Sequence, residues 1–191
     1  LVFNNIFLQL LFSYLIIFKI TKDNLFSFFA SFLFILSPIF LFKFKYHLSL
    51  TSHWLILLYF YIDIRIKNYH NKRNFFLFTL LISSLIHFYF TIIILIMIFG
   101  TRLFLLYENK NYYSFFKDSL FYIIPLLILM YFVGYFVLPP QNTIGGGYGQ
   151  FNLNILSFLN PSLDGKSWSN FLPTIYKSKV NEDFSYLGLG I

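Results

Sequence analysis

The sequence contains no cysteine, which excludes disulfides, thiolate nucleophiles and zinc–thiolate sites and leaves the redox compartment open. Charge is almost as scarce. Asp, Glu, Lys and Arg make up 11% of the 191 residues, less than half the share of about 25% found in soluble domains. With 58% hydrophobic residues and a mean hydropathy of +0.71, a water-soluble fold would have to hide more apolar surface than a chain of this size has interior for. Lipid removes the difficulty, because apolar side chains can then face outward. The net charge of +7 does not point to nucleic acid. The basic residues form short clusters between apolar runs, where they act as topology signals, and no basic stripe with interleaved aromatics is present.

What the sequence has in abundance is long apolar runs. A helix rises 1.5 Å per residue, so about 20 apolar residues cross about 30 Å of hydrocarbon. Six runs approach that length, at about 2–18, 25–42, 48–64, 75–89, 91–107 and 119–138. They predict an all-α membrane protein, a polytopic bundle of about six transmembrane helices. The first run lacks a basic leader and a small-residue cleavage site, so it reads as a span and not a signal peptide. The chain starts at Leu1 and ends after Leu187-Gly188-Leu189-Gly190, and both ends read as cut.

The stretch 75–107 is long for one span and short for two. Splitting it near His87–Phe90 puts Lys19, Lys22, Arg65, Lys67, Lys72, Arg73, Arg102, Lys110 and Lys117 on one side, which the positive-inside rule makes cytoplasmic. A single long helix would scatter these residues over both sides, so the hairpin is preferred. Residues 107–119 mix charge with aromatics and suit a helix lying at the interface. Pro139-Pro140 should stop the last helix. The segment 139–191, rich in Gly, Asn, Ser, Pro and Tyr, then lies outside the cell and is truncated at its C-terminal end. Pro38, Gly100, Pro125 and Gly134 mark helix bends or packing contacts.

Few residues carry chemistry. His47 and His53 flank the outer end of the third run, about 240° apart on a helix, which is not the i, i+4 pair of a two-histidine metal face. They read either as interfacial polar residues, with Trp54 in the aromatic belt, or as a polar mouth for a phosphate or sugar headgroup. His87 sits at the hairpin tip and reads as structural. Asn5 and Gln9, at i, i+4 on one face of the first run, should hydrogen-bond a neighbouring helix. Gly145-Gly146-Gly147-Tyr148-Gly149 lacks the Lys-Ser/Thr of a phosphate-binding loop and reads as tightly turning backbone. Asp164, Glu182 and Asp183 are the outer carboxylates. With Asn152, Asn154 and Asn160 they offer oxygen donors of the kind a divalent metal ion takes, or a general base near the membrane surface.

The outer segment runs Tyr148-Gly-Gln-Phe-Asn152-Leu-Asn154, then Asn160-Pro161, Trp168-Ser-Asn-Phe-Leu-Pro173 and Glu182-Asp-Phe-Ser-Tyr186-Leu-Gly-Leu-Gly190. Together with His47-Leu-Ser-Leu-Thr-Ser-His53-Trp54, this order resembles a family of bacterial multi-pass membrane proteins of unknown function. That family is in turn similar to the C-type glycosyltransferases, which take sugars from polyprenyl-phosphate donors at the outer leaflet. The resemblance covers about 45–191. It departs from the family pattern at Asp183, where Gly is usual, and at Ser185, where Asn is usual. It implies a glycosyltransferase-like protein of a bacterial cytoplasmic membrane with lipid-linked sugar as partner. Glu182 is then the candidate catalytic residue, and His47, His53, Trp54, Tyr148, Asn154, Asn160, Trp168 and Tyr186 are candidate substrate contacts. The acidic motif that C-type enzymes carry on their first outer loop is not in this sequence, so a truncated piece would be inactive alone. A transporter or flippase would place charge near the midplane of several spans, and a non-catalytic scaffold would need none. In the full-length protein, Glu182→Gln should lower sugar transfer from a polyprenyl-phosphate donor by about 100-fold, the low end for a general base. Unchanged transfer removes Glu182 from the site.

Overall fold

A computed structural model describes residues 2–46, 48–137, 159–163, 166–167 and 173–175. Among them seven α-helices dominate: α1 (Val2–Thr21), α2 (Asn24–Ile35), α3 (Pro38–Tyr46), α4 (Trp54–Arg65), α5 (Tyr69–Ile86), α6 (Phe88–Asn109) and α7 (Tyr112–Phe132). A 3₁₀ turn, Leu48–Thr51, precedes α4. The only strands among the described residues are β1 (Ser162–Leu163) and β2 (Lys166–Ser167), a two-residue antiparallel ladder.

Three helices are long and apolar enough to cross a membrane: Phe3–Thr21, Phe88–Asn109 and Tyr112–Phe132. A fourth is added if α2 and α3, bent by 54° at their junction, form one broken span. The described helices thus supply three or four of the six spans that the apolar runs suggest, for two reasons. The third run is broken by the 3₁₀ turn, and the 12 residues left in α4 rise only about 18 Å. The fourth run begins inside α5, whose first turns carry Lys72, Arg73 and Asn74.

Local chemistry sets the helix ends. Asp23 caps α2, its Oδ1 accepting the Phe26 N–H at 2.9 Å, as expected of an N-cap carboxylate. Pro38 opens α3 at the first helical position, where its missing N–H costs nothing, and Ser37 Oγ accepts the Phe40 N–H. The chain reverses at His87, whose Nδ1 accepts the Tyr89 N–H at 3.2 Å and caps α6. Ser83 of α5 reaches Thr91 of α6 across this turn, so the two helices form a hairpin. No separate interfacial helix forms over 107–119. Instead α6 runs to Asn109 and α7 starts at Tyr112, because Lys110 adopts a left-handed φ of 51° and Asn111 accepts the Ser114 N–H as cap.

The end of α7 also departs from expectation. The helix stops at Phe132, seven residues before Pro139. Gly134, at φ 87°, donates to Tyr131 O, and Tyr135 donates to Met130 O, the paired bonds of a Schellman motif. Pro125 sits inside α7 without ending it. Gly100 is not a packing contact, since a Cβ there would meet nothing within 4 Å.

The helices alternate in direction. Asn5 beside Thr51 and Phe12 beside Tyr61 set α1 parallel to α4. Lys72 to Asp63 and Tyr59 to Phe76 set α5 antiparallel to α4. One end of the bundle therefore gathers the start of α1, the starts of α4 and α6 and the C-terminal ends of α5 and α7; we term it the Asn5 end. The other, the basic end, collects the nine Lys and Arg residues grouped by charge. The core between them is Leu55, Tyr59, Ile62, Phe76, Leu80, Ile94, Ile98 and Tyr122 with their neighbours. Ser27, Ser31, Thr79, Ser83, Ser84 and Thr91 are buried, and small residues of this kind let membrane helices approach closely. Large apolar side chains such as Phe3, Phe29, Leu33, Ile96 and Phe132 are exposed, which is the surface lipid would cover.

Gly134→Ala is expected to lower the melting stability of the detergent-solubilised protein by about 1–2 kcal/mol, the cost of a left-handed Cβ, because no neighbour would clash. Gly100→Ala should raise it by up to about 1 kcal/mol through helix propensity. The pair separates backbone strain from packing in a single thermal-unfolding comparison.

Candidate groove and its polar mouth

Asn5, on the first turns of α1, is 4% exposed and uses its whole amide. Its Nδ2 donates to Leu48 O at 3.2 Å and Thr51 Oγ1 at 2.7 Å. Its Oδ1 accepts from Ser52 Oγ at 3.2 Å and from Trp54 Nε1 at 3.1 Å. A primary amide has two donors and an oxygen with two lone pairs, so the group is saturated. The four bonds fasten the 3₁₀ turn and the start of α4 to α1. Trp54 then stacks on Phe12 with ring centroids 6.2 Å apart.

Two hollows meet at this point. An apolar groove of about 770 Å³ runs among α1, α4 and α5, lined by Leu8, Phe12, Leu58, Ile62 and Phe78 among others. It reaches Arg65 and Asn74 at the basic end. At the Asn5 end lies a smaller hollow of about 420 Å³, where Asn4, Asn5, Ser49 and Ser52 face Leu85 and Ile86. Leu8 and Trp54 line both, so the apolar groove adjoins a smaller hollow with a partly polar rim, and these two side chains stand between them. Volumes of this order are typical of small-molecule sites.

The candidate substrate contacts divide sharply. Trp54 is buried, so it is not an aromatic-belt residue; its indole is part of the Asn5 network and of the wall between the hollows. His53 packs its ring against Phe40 and Phe90, at 6.2 and 5.7 Å, and lines neither hollow. Asn160 is buried and accepts the Ile175 N–H at 3.1 Å, which gives its amide a role in holding backbone. His47, Tyr148, Asn154, Trp168, Glu182 and Tyr186, together with Asp164 and Asp183, lie outside the described residues. Among the described residues no three His, Asp or Glu side chains gather as a metal site. Gln9, the partner of Asn5 in the sequence pattern, is buried, and its Oε1 has no hydrogen-bond partner among the described residues.

One cluster went unread in the sequence. Asp118 of α7 takes Arg102 of α6 at 2.7 Å on one carboxylate oxygen and Arg73 of α5 at 3.2 Å on the other. Arg102 also donates to Ser114 Oγ, and Arg73 lies 4.3 Å over the Phe121 ring. In sequence these residues look like ordinary loop charges. The available signal was that Arg102 and Asp118 each sit within an apolar helix, where ionisable residues turn inward and pair.

Asn5→Leu should destabilise the protein by about 2 kcal/mol, taking about 0.6 kcal/mol for each of the four membrane hydrogen bonds lost. In a Trp168→Phe background, Trp54 emission should change with it. An unaltered Trp54 spectrum and unchanged melting would contradict the network.

Comparison with known proteins bears on ancestry alone. Among curated proteins and among solved structures, no significant match is found. A family model of a domain of unknown function does match, from residue 1 to residue 191. Spanning the whole sequence as it does, that match places the chain in the DUF6311 family.

Proposed function

We propose that the chain is the membrane-embedded part of a glycosyltransferase-like protein that draws on a lipid-linked sugar donor. In this reading the donor's hydrocarbon tail lies in the groove among α1, α4 and α5, and its polar head sits at the Asn5 end. The observation that carries it is an apolar groove that adjoins, at Leu8 and Trp54, a smaller hollow whose lining includes Asn4, Asn5, Ser49 and Ser52. A polyprenyl phosphate has the same division, a long apolar chain ending in a polar group. Burial of the tail contributes on the order of 0.8 kcal/mol per methylene relative to water. Lipid surroundings offer that burial already, so the groove would add shape and position more than affinity.

The polar head would then lie at the end of the bundle where the chain leaves α7, the side on which the sequence puts 139–191. The motif order from Tyr148 to Gly190 supports the same reading only through the membrane family that it resembles, which is in turn similar to the C-type glycosyltransferases. Glu182 and the aromatic and amide residues of that segment would act on the head from above. Among the described residues the charged side chains gather towards the basic end of the spans and not at their middle, which favours this reading over an ion-coupled transporter or flippase.

The test uses the full-length protein in nanodiscs with a photoactivatable polyprenyl-phosphate sugar. Labelling should fall on α1 and α4 residues facing the groove, such as Leu8, Phe12 and Leu58. Leu58→Trp, which fills the groove, should reduce labelling about tenfold while the protein still melts cooperatively. Labelling spread evenly over lipid-facing residues, indifferent to Leu58→Trp, would overturn the proposal.

A further inference from the structure

The apolar groove among α1, α4 and α5 has two unlike ends. Leu8 and Trp54 bound it towards the Asn5 end, while Arg65 and Asn74 line it at the basic end. Among the described residues of its lining, Arg65 and Asn74 alone carry a charge or an amide. We infer that the groove takes an acyl chain of a glycerophospholipid from the leaflet at the basic end, with the lipid phosphate held by Arg65 and Asn74.

Three observations carry the inference. The first is that both polar side chains are exposed and, among the described residues, engaged in no hydrogen bond or ion pair. Asp63, the acidic residue closest to Arg65 in sequence, is taken by Lys72 at 2.7 Å. Two positions apart on α4, Asp63 and Arg65 do not face each other. A guanidinium with open donors is the side chain best matched to phosphate oxygens, and the Asn74 amide can add a further N–H. The second observation is the wall between the two ends. Leu58, Ile62, Phe75 and Phe78 form much of it, and Phe75 and Phe78 are exposed, so α5 offers hydrocarbon a wall that no other described element covers.

The third observation is length. From Trp54 to Arg65, α4 rises about 16 Å, close to the roughly 15 Å of hydrocarbon that one leaflet contributes. Asn74 stands where the polar first turns of α5 give way to Phe75, the change expected where headgroups meet hydrocarbon. The Arg65 stem can line the groove while its guanidinium reaches the headgroups. A chain anchored there fills the groove as far as Trp54, and a sugar donor whose tail enters the same groove has to displace it. The lipid site does not rest on the donor reading, because its anchor lies at the opposite end of the groove.

The experiment is native mass spectrometry of the full chain released from detergent, after exposure to phosphatidylglycerol, to diacylglycerol with the same chains, or to sodium phosphate. One phosphatidylglycerol should be retained about tenfold above diacylglycerol, the lower worth of a charge-assisted hydrogen bond. Arg65→Gln should remove that difference and, since Arg65 is exposed and unpaired, leave melting in lipid-free detergent unchanged. Lys67→Gln deletes the same charge two residues on, at a side chain absent from the groove lining, and should keep the difference. Leu58→Trp, which fills the groove, should expel both lipids. Equal losses in Arg65→Gln and Lys67→Gln would mean diffuse surface attraction, and retention indifferent to Leu58→Trp would put the lipid elsewhere. Either result overturns the inference, as does diacylglycerol retained as well as phosphatidylglycerol, or sodium phosphate binding with no lipid retained. Arg65→Gln should leave labelling of Leu8 by the polyprenyl probe in place, so failure of the lipid site and failure of the donor reading are separable.

Discussion

The saturated amide of Asn5 is the interaction on which the Asn5 end of the bundle depends. Hydrocarbon cannot hydrogen-bond, so a polar group placed in it must find every partner within the protein. Between α3 and α4 the chain abandons regular helix for a 3₁₀ turn, and that irregular backbone needs a satisfied neighbour. Asn5 supplies one by binding Leu48, Thr51, Ser52 and Trp54 at once. The same bonds set the angle of the Trp54 indole, and the indole sets where the groove ends and the mouth begins. A single polar side chain thereby links the irregular turn to the shape of the cavity.

The opposite end obeys the same rule with charges in place of an amide. Asp118 holds α5, α6 and α7 together through two arginines, while Lys72 and Asp63 clip α5 to α4 at 2.7 Å. Buried ion pairs are weak sources of net stability and strong sources of penalty when broken. Their effect here is to fix register: Arg73, Arg102 and Asp118 can meet only if the α5–α6 hairpin turns at His87 and α7 starts close to Tyr112. The aromatic contact of Tyr59 with Phe76, with ring centroids 4.4 Å apart, and its hydroxyl bond to Thr101 lock the same register at mid-height.

Much of this was legible in the residues. The apolar runs announce membrane helices, and the polar interruption at His87 announces a turn, since neither signal requires knowledge of contacts. Asn5 could be read as a helix-packing residue from its place in an apolar run, although its partners, 43 to 49 residues away, could not. What composition hid was the broken third run: Leu48-Ser-Leu-Thr51 is as hydrophobic as its surroundings, yet Ser52 and His53 let the backbone leave the helix. The end of α7 was misjudged for a related reason. Pro139-Pro140 is the louder stop signal, but Gly134 acts first because its left-handed backbone completes two hydrogen bonds. The inward turn of Trp54 was not legible, because an indole near a span end usually faces the interface and only the Asn5 contact draws it inward. The charge cluster of Arg73, Arg102 and Asp118 was obscured by sequence separation, since each residue alone resembles a loop charge.

The Schellman turn after α7 has a further consequence. Once Gly134 reverses the backbone, the Tyr135 hydroxyl donates to Ser84 O at 2.9 Å, a carbonyl near the C-terminal end of α5 that the helix itself leaves without a partner. The ring of Tyr135 also lies 6.0 Å from that of Phe88. This pins the exit of the chain to the α5–α6 hairpin, one residue before Leu85 and two before Ile86, which line the mouth. A shift of the α5–α6 turn would therefore carry the end of α7 and the rim of that smaller hollow together.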